Sequence, residues 1–103
     1  MYKSSGRYEI QWHRAARREL RRLPRSDQRR INAHVQGLAS DPQPPGCRRM
    51  TGPHVAWRIR VGRYRVVYQI QGNVPVVYIV RVAKRADVYR HPETLHGRLQ
   101  RSE

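Results

Sequence analysis

Apolar and polar residues alternate from Arg7 to Trp12, with Tyr8, Ile10 and Trp12 on one side and Arg7, Glu9 and Gln11 on the other. That two-residue period predicts a strand. From His13 the period lengthens: Ala16, Leu20 and Leu23 keep helical spacing, Arg17, Arg18, Arg21 and Arg22 fall on the outer surface, and Pro24 ends the helix. Ser26 or Asp27 is placed to cap a second helix, whose stripe of Ile31, Val35, Leu38 and Ala39 stops at Asp41-Pro42. The Pro/Gly-rich segment DPQPPGC (41–47) reads as loop and leads through Arg48-Arg49-Met50-Thr51-Gly52 toward the remaining strands.

Strand spacing then returns. Val55, Trp57, Ile59 and Val61 share one face and Arg58 and Arg60 the other, and Gly62-Arg63 is a hairpin turn. On the returning strand Tyr64, Val66, Tyr68 and Ile70 alternate with Arg65, Val67 and Gln69, before a second turn at Gly72-Asn73. VPVVYIVRV (74–82) is apolar on both faces, as an inner strand requires. The order β-α-α-β-β-β predicts an α+β fold, an antiparallel sheet with a helical hairpin on one face. A single domain spans residues 1–103, with its core at about 7–90. HPETLHGRLQRSE (91–103) has room for a short C-terminal helix, loosely held because Leu95 and Leu99 are its main apolar residues.

Charge changes the picture. Against 7 Asp+Glu the chain carries 22 Lys+Arg, a net charge of +15 that calls for a polyanionic partner, nucleic acid first and an acidic protein second. The lysines are Lys3 and Lys84, so the excess is almost all arginine and is spread over the whole chain. The lone Cys47 has no disulfide partner, no CxxC and no histidine at ligand spacing, so no metal or other cofactor is expected. MYKSSGRYEIQW lacks the apolar stretch of a secretion signal and no run reaches membrane-spanning length, so a cytoplasmic location is expected.

The candidate chemistry lies in the strands. Arg58 and Arg60 are two apart and Arg65 lies across a tight turn, so their side chains converge on the sheet face left free by the helices. Like charges held that close either form a solvated face or await an anion. Arg81, Lys84, Arg85 and Tyr89 follow where the chain leaves its last strand, placed to complete a basic pocket for a phosphate with one phenol in it. Alternatively Lys84 and Arg85 belong to an exposed turn and Tyr89 packs. His91 has the pKa of an acid–base group but sits at the start of the tail, and His13, His34, His54 and His96 read as structural or exposed.

The array R-x-R-V-G-x-Y-R-V-V-Y, followed one strand later by V-x-K-R-x-x-V-Y, resembles the RelE/ParE superfamily of bacterial toxins, on the RelE-like side. Tyr8-Glu9-Ile10, Ala16, Leu20, Leu23-Pro24, Leu38, Asp41-Pro42 and Met50-Thr51-Gly52 extend the likeness over roughly residues 7–90. The resemblance implies the microbial-ribonuclease-like toxin fold and a metal-independent endoribonuclease, an mRNA interferase that inhibits translation by cutting messages on the 70S ribosome. It also implies an acidic antitoxin as partner. Carried over, Arg58 and Arg60 match the family's basic pair, Arg65 its third-strand arginine, Arg85 the arginine after the last strand and Tyr89 the C-terminal tyrosine.

From this we expect Arg65, Arg85 and Tyr89 to be catalytic, and Arg58, Arg60, Arg81 and Lys84 to hold RNA phosphate. Known relatives carry lysine at the positions of Arg58 and Arg60; a guanidinium with a pKa above about 12 does not give up its proton, which leaves Tyr89 as the first candidate for general base. The alternatives are a ParE-like toxin that poisons DNA gyrase and a non-catalytic basic module that binds RNA or ribosomes.

Overall fold

The computed structural model describes residues 7–50, 55–71, 74–85, 87 and 97–99. Its elements are β1 (Glu9–Trp12), α1 (Arg14–Arg21), α2 (Arg25–Gly37), β2 (Arg48–Met50), β3 (Ala56–Val61), β4 (Tyr64–Gln71) and β5 (Val76–Lys84). The five strands form one sheet in the order β1-β5-β4-β3-β2. From β2 to β5 every pairing is antiparallel, while β1 runs parallel to β5, so the sheet is mixed. A parallel pairing needs a crossover of a dozen or more residues, and a stretch from α1 to β4 separates these two strands.

The two helices cover one face. Ala16 and Leu20 of α1 and Ile31 and Val35 of α2, each pair four apart, pack with Ile59, Val61, Val66, Tyr68, Val77 and Ile79 in the main core. Full burial of side chains of this size stabilises the fold by roughly 1.5–3 kcal/mol each. Gln28 closes the helical hairpin by donating from Nε2 to the Leu23 carbonyl at 2.8 Å and the Arg21 carbonyl at 3.3 Å, both left over at the end of α1. Two phenols tie the sheet to this layer: Tyr64 donates to Asp27 Oδ2 at 3.0 Å and Tyr68 to the Pro42 carbonyl at 2.7 Å. Burial holds both phenol pKa values above the ordinary range, with Asp27 adding to the effect at Tyr64.

The helix starts differ from expectation. The Nδ1 of His13 caps α1 by accepting from the Ala15 N–H at 3.1 Å. Pro24 stands at the start of α2 with no side-chain cap, and Ser26 and Asp27 lie inside its first turn, where Asp27 serves Tyr64 instead. Proline suits this place because its missing N–H would find no partner in a first turn.

The strand β5 carries a bulge. Its register with β4 moves from Val67↔Arg81 to Tyr68↔Ile79, leaving Val80 as an extra residue. One inserted residue reverses the alternation, so Ile79 and Val82 both face the helices although three positions apart. On the opposite face Val80 joins Ala56 and Val67 in a smaller cluster, bordered by Met50, Tyr78, Ala83 and Leu99. Leu99 thus packs on the face the helices leave free.

Candidate functional site

The β3–β4 hairpin sets out the arginines. Gly62, at φ +60°, supplies the positive φ that a two-residue turn needs at its first position, and Val61 faces Tyr64 across it. Alternation then sends Trp57, Ile59 and Val61 toward the helices and Arg58 and Arg60 to the free face. Arg60 lies directly opposite Arg65, and Arg58 opposite Val67. The strand β2, part of a stretch read above as the approach to the strands, adds Arg48 directly opposite Arg58. Two arginine pairs therefore stand side by side, where direct partners have Cα atoms about 4.5–5.5 Å apart.

No carboxylate among the described residues lies within ion-pair reach of Arg48, Arg60 or Arg65. Arg65 also has a buried Nε without a hydrogen-bond partner. Guanidinium groups without a counter-charge among the described residues can do one thing well chemically: hold an oxyanion, above all a phosphate, by paired N–H donation.

Residues 10–89 match the family model of the ParE toxin of type II toxin–antitoxin systems. The chain belongs to the RelE/ParE toxin superfamily. Among curated proteins the toxin is 22% identical over 89 residues to toxin RelE1 of Methanocaldococcus jannaschii, a match covering 84% of this chain and 99% of that one. Among solved structures it is similar to the RelE–RelB complex of Pyrococcus horikoshii, with 26% identity, a TM-score of 0.67 and coverage of 76% and 94% of the two chains. It is likewise similar to the RelBE2 toxin–antitoxin complex of Mycobacterium tuberculosis, with 25% identity, a TM-score of 0.69 and coverage of 77% and 99%.

The remaining expected site residues are placed unequally. Arg85 of the toxin is exposed, and its N–H donates to the Arg63 carbonyl at 2.9 Å, which carries the β4–β5 ladder one step further beside the hairpin turn. Lys84 is exposed but opposite Tyr64, in the alternation of the helix-facing residues, so the register does not group it with Arg65. Tyr89 and His91 lie outside the described residues.

Arg81 lies across β4 from Arg58 on the free face, since Val67 pairs with both. It is only 7% exposed; its Nη2 donates to the Asp87 carbonyl at 2.9 Å, and its Nε, like that of Arg65, is buried without a hydrogen-bond partner. Burial lowers its pKa from the ordinary arginine value, Glu19 opposes that shift and Arg98 adds to it.

Two further residues escaped the sequence reading. Because β1 ends opposite Ile79, the outer edge of β5 beyond that point has no strand partner among the described residues. There Glu19 of α1 accepts from the Val82 N–H at 2.9 Å, and Arg98 donates both to Glu19 at 2.9 Å and to the Val80 carbonyl at 3.0 Å. One ion pair substitutes for a strand and ties down the chain at 97–99, which the sequence had suggested was loosely held. Such a contact between residues nearly eighty positions apart leaves no periodic trace.

Proposed function

We propose that this toxin is an endoribonuclease that cleaves messenger RNA, in translation on the ribosome, and is held inactive by an acidic antitoxin. The observation that carries the reading is the set of Arg48, Arg58, Arg60 and Arg65 on the free sheet face, without carboxylate partners among the described residues. Cutting RNA requires loss of the ribose 2′-OH proton, stabilisation of the charge on the pentavalent phosphorus and protonation of the leaving 5′-oxygen. In this reading Arg65 and Arg85 stabilise that charge, and Arg48, Arg58 and Arg60 position the backbone. Tyr89 takes the proton: cations beside a phenol favour its phenolate and bring its pKa down from about 10.

The antitoxin follows from the solved relatives, which are toxin–antitoxin complexes, and from the charge of +15 that an acidic partner would neutralise. One observation favours a second reading: the matching family model is that of the ParE toxin, and a ParE-like toxin poisons DNA gyrase. Parallel assays separate the two. Purified toxin incubated with translating ribosomes should produce cuts within codons, and gyrase supercoiling should be unaffected. Intact message together with trapped gyrase–DNA complexes would overturn the ribonuclease reading.

A further inference from the structure

Beside the arginines, at the edge of the sheet, lies a cavity of about 600 Å³ that no part of the proposed chemistry uses. Its floor is Ile59, one wall is the C-terminal half of α2 at Ala33, His34 and Gly37, and the other is the Pro44-Pro45 turn. The space is real at the helix wall, since a side chain begun at Gly37 would meet nothing within 4 Å. Arg60 also lines it, so the slot borders the arginine face directly.

The backbone of Arg60 gives the slot polar groups. A two-residue turn makes Val61–Tyr64 a hydrogen-bonded pair and Ile59–Val66 the next, so the N–H and C=O of Arg60, between them, point away from β4. Extended backward, β2 would set Gly46 against Arg60, but the strand begins only at Arg48 and Gly46, at φ +92°, turns the chain aside. One donor and one acceptor are thus presented together at the mouth of an apolar slot. His34 also lines the slot, and its Nδ1 sits 3.0 Å from the Arg30 carbonyl, to which it donates.

We infer that this slot receives one unstacked base of a single-stranded RNA whose adjacent phosphates lie on the arginine face. The inference rests on the ribonuclease reading for the direction of the strand, and on the slot for the base. A base presents flat apolar faces, which the Pro44-Pro45 wall and the Ala33 wall can sandwich above Ile59, and a Watson–Crick edge with neighbouring donor and acceptor, which one residue's N–H and C=O can meet. A peptide strand is the poorer fit. Arg58 is already paired with β2 and Val61 with Tyr64, so a single residue is left, too short an edge for strand addition.

The test is the affinity of purified toxin for a short fluorescent oligoribonucleotide with 2′-O-methyl groups, which cannot be cleaved, and for the same strand with abasic positions, both at one salt concentration. Stacking and edge contacts to one base predict about tenfold tighter binding of the base-bearing strand. Ala33→Phe and, independently, Gly37→Leu fill the slot. Each should lower the affinity for the base-bearing strand to the abasic level, with abasic affinity and the unfolding midpoint unchanged. Equal binding of the two strands by the unaltered toxin would overturn the inference. So would filled-slot variants that bind the base-bearing strand normally but have lost the cognate antitoxin, which would assign the slot to a peptide. A toxin that binds through the slot yet cuts no RNA would remove the ribonuclease reading and leave the slot standing.

Discussion

Replacing Glu19 by alanine strips the outer edge of β5 of its acceptor. The Val82 N–H, which donates to Glu19 at 2.9 Å, is then left on a buried strand with no strand across from it among the described residues. An unsatisfied buried amide costs about 1–3 kcal/mol. Arg98 simultaneously loses its ion pair while it remains near the buried Arg81, whose charge it already disfavours. We expect about 3 kcal/mol of destabilisation in all, with Glu19→Gln, which keeps an acceptor but not the charge, at about 1 kcal/mol. With a urea dependence of about 1–1.5 kcal/mol per molar for a domain this small, the Glu19→Ala midpoint should fall by roughly 2–3 M. Hydrogen exchange gives the local readout: the Val82 amide should lose protection before its neighbours in β4. An unchanged midpoint, or equal effects of the two substitutions, would refute the idea that this pair stands in for a strand.

Other outcomes follow from single residues. Burial, followed by Arg98, Arg14 and Arg18 against the opposing pull of Glu19, lowers the His13 pKa below 6.5, so the unfolded chain takes up the proton first. Stability should therefore decline as pH falls from about 6.5 through the folded-state value, and His13→Asn, which keeps a cap, should flatten that decline in thermal melts. Arg48→Ala should weaken binding to uncleavable RNA and reduce the slope of log affinity against log salt by about 0.7; an unchanged slope would take Arg48 off the phosphate path. Arg81→Met should shift the unfolding midpoint while leaving the salt slope of RNA binding as it was. A reduced slope with unchanged stability would make Arg81 a phosphate ligand.

The parts of the fold visible in the chain are those written in local periodicity. Both helices, the hairpin at Gly62-Arg63 and the inner position of β5 follow from spacing and apolar content. What spacing could not show is pairing between distant segments. The parallel match of β1 with β5 depends on how the helical hairpin returns the chain, and three residues, Arg48 to Met50, are too few to display a period of two. Arg81 stays on the free face, because Val67 pairs with it on one side and with Arg58 on the other; its burial and its bond to the Asp87 carbonyl are contacts that spacing does not show, and the bulge at Val80 is silent in an apolar run. Arg58, Arg60 and Arg65 were legible since one tight turn determines their register. Arg48 had a weak signal in Met50, two residues on, which shares its face and packs on the smaller cluster.

The central claim is that the free-face arginines hold a phosphate that is cut. The most direct measurement is mapping of RNA ends after purified toxin, its Arg65→Ala variant and its Arg85→Ala variant are incubated with ribosomes translating a defined message. Discrete cuts within codons are expected from the unaltered toxin, and a loss of at least a hundredfold in rate from each variant, with unchanged circular dichroism. Full-rate cleavage by both folded variants, or no cleavage by any of the three, would contradict that claim.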